Sequence, residues 1–230
     1  MPVLHHYPLS APSRFVRLAL AEFDETATLA VETPGERRDD FLRINPAGTV
    51  PVLVDDDETV VVGPGPIAEY LWETRGQRLA APKLMPASPA ERAETRRLGD
   101  WFLGKMEAEV NQYLLTEKVL KRVRTIRDGG GPPDAAAIRA ARANLRYHLE
   151  YVGYLAARQN CLAARELTYA DLAAAAAFST ADYLGEVPWE EQVTAKAWYA
   201  RMKSRPSFRP LLAESVRGVV PATHYANLDF

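Results

Sequence analysis

The sequence predicts a small α/β unit followed by an all-helical one. Three observations carry this. Residues 1–75 alternate short apolar runs with helical periods in the order βαβαββα. Residues 76–87, GQRLAAPKLMPA, have the Pro- and Ala-rich composition of a linker. From 88 to about 215 every apolar pattern is helical, and 216–230 has no helical period and reads as an extended tail.

In order along the chain, Val3 to Tyr7 predicts a first strand. Pro12 opens a helix through about Glu22, with Phe15, Val16, Leu18, Ala19 and Leu20 as its apolar content. Thr28 to Glu32 predicts a second strand and Glu36 to Leu42 a short helix. Val50 to Val54 and Thr59 to Val62 form a hairpin across the acidic turn Asp55-Asp56-Asp57-Glu58. Ile67 to Thr74 is helical and stops near Gly76. Beyond the linker, Ser88-Pro89-Ala90-Glu91 combines a cap, a proline at the first position and an acid at the third, and starts a helix running toward Arg127. DGGGPPD at 128–134 breaks it, and Asp134 caps a second long helix to about Gln159. Thr168-Tyr169-Ala170-Asp171 is a capping box for an Ala-rich helix ending near Leu184-Gly185, and Thr194 to Ser204 is the last.

Composition narrows the function classes. A chain of 230 residues can bury one large or two small cores. Lys and Arg number 28 against 30 Asp and Glu, so no global charge draws the chain to nucleic acid. No apolar run approaches the roughly 20 residues of a bilayer span, and no signal-peptide pattern opens the sequence. A single cysteine, Cys161, allows no internal disulfide and fits a reducing cytoplasm. The four histidines form no metal constellation with it, so neither a metal nor a cofactor is expected.

Local motifs then converge on one family. SAPSRFVRLALAE (10–22), NPAGTVPVLV (45–54) and LTYADLAAAAA (167–177), set in this element order, resemble the glutathione transferase superfamily, with a thioredoxin-like first domain and a helical second domain. The resemblance implies domains at 1–75 and 88–215, joined by 76–87, and a tail at 216–230. It implies a cis bond at Val50-Pro51 and places Ser10, with Ser13 as a nearby substitute and Tyr7 as a weaker one, where serine-type enzymes hold the thiolate of glutathione. Hydrogen bonding to a thiolate lowers its pKa, so that hydroxyl would be catalytic; the competing role for both serines is to cap the first helix.

The same resemblance exposes a departure. The family holds the γ-glutamyl end of glutathione with an acid and a following Ser or Thr at the mouth of its third helix; here those positions are Gly63 and Pro64. Proline has neither hydroxyl nor N–H, and Pro66 removes a further N–H. Each missing charge-assisted bond is worth about 1.5–3 kcal/mol, so losing two weakens binding by on the order of a hundredfold.

KAWYARMKSRPSFRPLLAESVRGVVPATHYANLDF (196–230), with YLGEVPWEE before it, resembles a branch of transferase-fold division proteins of alphaproteobacteria. Members of that branch bind filaments of FtsZ, the tubulin-like division protein, and promote their curvature. That resemblance implies a cytoplasmic homodimer at the division site, with FtsZ and another division protein as partners. Tail positions His224, Tyr225, Asn227, Leu228, Asp229 and Phe230 are the implied contacts, with Asn227 standing where an Asp is expected. Lys118, Lys121 and Arg122 share one helix face and offer a basic stripe to an acidic surface; a solvated helix face explains the same spacing. The alternatives are a serine-type glutathione transferase using Ser10, with glutathione as its substrate, and a noncatalytic binder of a small hydrophobic ligand between the domains.

Overall fold

The computed structural model describes residues 1–78, 84–228 and 230. Strand β1 (Val3–His6) lies inside a four-stranded sheet of order β2-β1-β3-β4, with β2 at Thr28–Val31, β3 at Val52–Val54 and β4 at Val60–Val62. β1 runs parallel to β2, pairing Leu4 with Leu29, and antiparallel to β3, pairing Leu4 with Leu53. The hairpin β3–β4 pairs Leu53 with Val61. Helices α1 (Ala11–Glu22), α2 (Asp39–Ile44) and α3 (Pro64–Thr74) complete the βαβαββα order that alternating periods predict.

Two of these helices differ from expectation. α2 starts three residues later, because Pro34 and Gly35 form a turn, with Gly35 and Arg37 at positive φ. Asp39 and Asp40 then fall in its first turn, where negative charge suits the helix dipole. α3 starts one turn earlier than Ile67. Gly63 caps it at φ 90° and ψ 154°, a backbone conformation that glycine adopts without cost, and Pro64 takes the first helical position.

The second half is helical. α4 spans 89–123 without a break, wound as π-helix over Trp101–Asn111 and Thr116–Leu120. It ends before Arg127 because Gly130 turns the chain back: its N–H bonds the Thr125 carbonyl at 2.8 Å, and a Cβ there would lie 2.0 Å from the Arg124 carbonyl oxygen. α5 (Ala135–Arg158) is capped by Asp134, whose carboxylate accepts from Ala136 and Ala137 N–H. α6 (Tyr169–Tyr183) is buried on all sides, as expected of a helix apolar around its whole circumference. Its Ala173–Ala177 run lets neighbouring elements approach closely; α1 packs on it from the sheet side, and α4 from the other half. α7 (Val193–Lys203) and a short α8 (Arg209–Leu212) follow. The capping box of Thr168 and Asp171 forms as its spacing predicts.

The tail is not extended. It folds into turns over α6 and α7, with Ala222 N–H on the Tyr183 carbonyl at 2.9 Å and Tyr225 N–H on the Ala222 carbonyl at 2.9 Å. Among the described residues no helix is long and apolar enough to cross a membrane, and no three of His, Cys, Asp and Glu gather to hold a metal ion.

Candidate functional site

The chain leaves β1 through a tight turn closed by Ser10 N–H on the Tyr7 carbonyl at 3.0 Å. Ser10 is the N-cap of α1, its Oγ accepting the Ser13 N–H at 3.3 Å. Ser13 Oγ accepts the Tyr7 N–H at 3.3 Å and is fully enclosed, so it braces the turn. Tyr7 is itself buried, which pushes its phenol up. Ser10 differs from Ser13 in that it also lines a cavity of about 250 Å³. Capping and facing a cleft are therefore compatible roles for one hydroxyl.

The second wall of that cavity comes from the loop after α2. Asn45 organises it, its Nδ2 donating to the Thr49 carbonyl at 2.8 Å and its Oδ1 accepting from Ala47 N–H. Val50-Pro51 is cis, as the resemblance implies. Thr49 and Val50 line the cavity beside Ser10, and α4 supplies Glu107, Gln112 and Leu115. Segment 32–38 closes it, with Glu32 buried between His5 Nδ1 at 2.9 Å and Arg38 Nε at 3.3 Å. The adjacent His6 imidazole is pushed down to about 4 by burial and by Arg17 and Arg14.

The α3 mouth opens elsewhere. Gly63 N–H is spent on the Pro51 carbonyl at 3.0 Å, and its own carbonyl receives Ile67 N–H. With prolines at 64 and 66, Gly65 is the one position in the first turn with an N–H left over. Pro64 and Gly65 line a second, larger cavity of about 640 Å³, together with Phe15, Leu103, Arg96 and Tyr169. The structure thus brings Ser10 and Val50 together and puts Pro64 on a different cavity. Gly63 and Pro64 themselves offer no hydroxyl or acid at this mouth.

Two lysines of the basic stripe turn out to be internal braces. Lys118 Nζ donates to the Leu184 carbonyl at 2.7 Å and pairs with the buried Glu186, which also holds Arg142 at 2.5 Å. Lys121 pairs with Glu117 at 2.6 Å, and the same carboxylate accepts Asp134 N–H. Both lysines therefore spend charge within the fold while remaining partly exposed. Arg122 is exposed and, among the described residues, unpaired.

The tail residues divide likewise. Tyr225 is 1% exposed, its ring packed edge-on to Tyr183 and its Oη donating to the Leu211 carbonyl at 3.1 Å. In this chain it is a core residue, its ring and hydroxyl both satisfied inside the fold. His224 Nε2 lies 2.9 Å from Asp182 Oδ1, and Asn227 gives its carbonyl to Lys203 Nζ at 2.7 Å. Phe230 lies over the Lys203 ammonium at 4.0 Å and edge-on to Trp189. Leu228 is 41% exposed, an apolar side chain the tail leaves in solvent. Asp229 lies outside the described residues.

Sequence reasoning missed two residues that organise the site. Arg14 is fully buried, bonding the Pro8 carbonyl at 2.7 Å and, at 2.9 Å each, Ser179 Oγ and Tyr225 Oη. It ties the Ser10 turn to α6 and the tail. Glu107 is the other, a carboxyl on the cavity wall pushed up to about 7 by burial, against the pull of Asn111 and Gln112. Neither stands out locally, since an Arg in a helix and a Glu in a helix are ordinarily solvated.

Comparison with known proteins places this arrangement. The N-terminal domain model of glutathione S-transferase matches residues 4–79 and the C-terminal domain model matches 126–206. "FtsZ-localized protein A" of Caulobacter vibrioides (strain NA1000 / CB15N) is 44% identical, over 99% of this chain and 97% of its own. Among solved structures, a glutathione S-transferase from Sinorhizobium meliloti 1021 is 52% identical with a TM-score of 0.97, covering all of both chains. FzlA from C. crescentus is 44% identical with a TM-score of 0.92, covering 100% of this chain and 99% of that one. With both halves matched by its domain models and relatives aligned from end to end, this chain belongs to the glutathione S-transferase family.

Proposed function

We propose that the chain is a transferase-fold binding protein that associates with FtsZ filaments and promotes their curvature or bundling. The observation that carries the reading is the 44% identity to FtsZ-localized protein A across nearly the full length of both chains. A glycine–proline helix mouth supports it, since a binding protein tolerates loss of the glutathione clamp and an efficient transferase does not. We read the chain as two domains, 1–75 and 88–215, joined by 76–87, with the tail 216–230; the two family matches support that division. It works as a homodimer at the division site in the cytoplasm, because a dimer presents the same patch twice and gains avidity on a repeating filament. Arg122, His224, Leu228 and Phe230 are the residues we assign to contact with FtsZ or a second division protein, Arg122 supplying a charge that no described residue pairs and Leu228 an exposed apolar side chain.

The test is cosedimentation with FtsZ polymers across salt, beside a calorimetric titration with glutathione. Pelleting that weakens as salt rises, with no heat at millimolar glutathione, is expected. No pelleting at low salt removes the reading. A serine-type transferase is the second reading, favoured by Ser10 and Val50 on one cavity and by the Sinorhizobium meliloti relative. Saturable glutathione binding, with conjugation lost in Ser10→Ala, supports that reading instead.

A further inference from the structure

The connection from α4 to α5 leaves apolar side chains in water at a cationic end of the molecule. Ile126 is 90% exposed, more than any other large apolar side chain among the described residues, and Val123 is 59% exposed. Burial of such groups is favourable in proportion to their area, yet the fold leaves both outside. The backbone beneath them is nonetheless tied down. Gly130 N–H bonds the Thr125 carbonyl at 2.8 Å, and Gly131 N–H bonds the Lys121 carbonyl at 3.0 Å. Arg124 turns inward and donates to the Pro34 carbonyl at 2.6 Å. A braced turn therefore presents Ile126 outward.

The charges here run against the balance of the chain, which has 28 Lys and Arg against 30 Asp and Glu. Arg122, Arg127 and Arg139 are exposed, and neither Arg122 nor Arg127 has an ion-pair partner among the described residues. The acids of the turn are engaged within it: Asp128 accepts from the Thr125 hydroxyl, and Asp134 from the first turn of α5. Lys121 and Glu117 cancel each other as a pair. The loop that Arg124 holds adds Glu36 and Arg37, one charge of each sign.

An acidic protein face or an anionic bilayer would each take the arginines, and Ile126 decides between them. At its exposure it is a knob, for which a rigid protein face needs a matching hole, with a second for Val123. A bilayer surface takes apolar knobs and cations together without such a fit. The apolar side chains enter between headgroups while guanidinium groups meet phosphates.

We propose that the α4–α5 turn is a contact site for an anionic lipid surface, with Ile126 and Val123 entering the headgroup region and Arg127 and Arg139 meeting the phosphates. The contact is peripheral, since no described helix is long and apolar enough to cross a membrane. It does not rest on FtsZ association and stands or falls separately from it.

Flotation of the full chain with vesicles tests this, using phosphatidylcholine alone and phosphatidylcholine mixed with phosphatidylglycerol. Binding is expected to the mixed vesicles only, and to weaken as salt rises from about 0.01 M to about 0.3 M, where the Debye length has shortened severalfold. Arg127→Glu is expected to weaken it at least about fivefold, and Ile126→Asn by a similar factor. Ile126→Trp holds or raises binding, because an indole suits the headgroup region, whereas a fitted protein hole would reject it. Arg209→Glu, which changes an exposed arginine of α8, leaves binding unaltered. Melting curves on the same proteins are expected to coincide, since all these side chains are exposed. No flotation with the mixed vesicles at low salt overturns the proposal, as does flotation unmoved by Arg127→Glu and Ile126→Asn, or lowered equally by Arg209→Glu. Cosedimentation with FtsZ polymers runs beside it. Filament binding lost in Ile126→Asn with no vesicle binding by the unaltered chain assigns the turn to a protein partner and overturns the lipid contact. Arg122 is left in place in every variant, so the filament contact assigned to it is tested independently.

Discussion

Asp171 and Glu107 are both carboxyls shut away from water, and their partners make them different. Asp171 accepts from Leu162 N–H at 2.8 Å, Thr168 N–H at 3.0 Å and Trp198 Nε1 at 3.3 Å. Glu107 accepts from the Gln112 side chain at 2.7 Å, with the Asn111 side chain beside it, and receives no backbone N–H among the described residues. Its folded pKa, about 7, lies above the ordinary 4.5, so between these values the folded chain keeps a proton that the unfolded chain has lost. Stability therefore falls as pH rises through that window and levels off above it. Glu107→Gln keeps the shape of the protonated acid, and is expected to stabilise the protein by about 2–3 kcal/mol at pH 8 and by little at pH 4. Urea unfolding of both proteins at the two pH values checks this. Tyr225→Ala, in contrast, opens a hole beside Tyr183 and strips a partner from Arg14. A loss of about 3–5 kcal/mol is expected, in the range of large aromatic-to-alanine core changes; thermal melts provide the measurement. Ser10 was readable because a cap lies next to its helix in sequence. Arg14 and Tyr225 are 211 positions apart, so no local pattern announces their bond.

Helix ends show the same division between neighbouring and distant partners. The caps at Asp134 and Thr168 follow from spacing, since each bonds N–H groups two or three residues on. Asp134→Ala is expected to cost about 1 kcal/mol, a typical cap loss, read by chemical denaturation. The α3 mouth carries the functional consequence. Pro64→Ser returns a hydroxyl and an N–H to the first turn, and one regained charge-assisted bond raises glutathione affinity by roughly tenfold or more. Calorimetry on the variant tests this, and an unchanged heat would mean that the mouth is not where the tripeptide's acid would sit. The start of α3 was misjudged from periodicity because two prolines and two glycines carry no apolar repeat. Gly63 at positive φ and Pro64 at the first position nonetheless start a helix well.

Across the molecule, the long-range ties run toward the tail. Arg14 reaches Tyr225 from α1, Lys203 gathers the His224 and Asn227 carbonyls, and Phe230 covers its ammonium. Removing 223–230 therefore strips packing as well as any partner contact, and a binding loss in that truncation would not separate the two. Point changes do. Leu228→Asp and Arg122→Glu alter exposed side chains, and are expected to reduce FtsZ pelleting several-fold with melting temperature held within a degree or two. Lys118→Ala is expected to do the reverse, lowering stability because the buried Glu186 loses one of its two cations. Pelleting and melting measured on the same three variants distinguish a surface charge from a brace.

Element order, the two capping motifs, the cis-proline loop and the missing clamp residues at 63 and 64 were all present in the linear chain, because each depends on neighbours a few positions away. Which lysines are spent internally, that Tyr225 is core, that Ser10 and Pro64 face separate cavities, and that Glu107 is a buried acid on a cavity wall emerged only on folding. Burial and charge pairing are properties of surroundings drawn from the whole chain, and a helical glutamate or lysine has the same sequence signature whether water or another helix lies beside it.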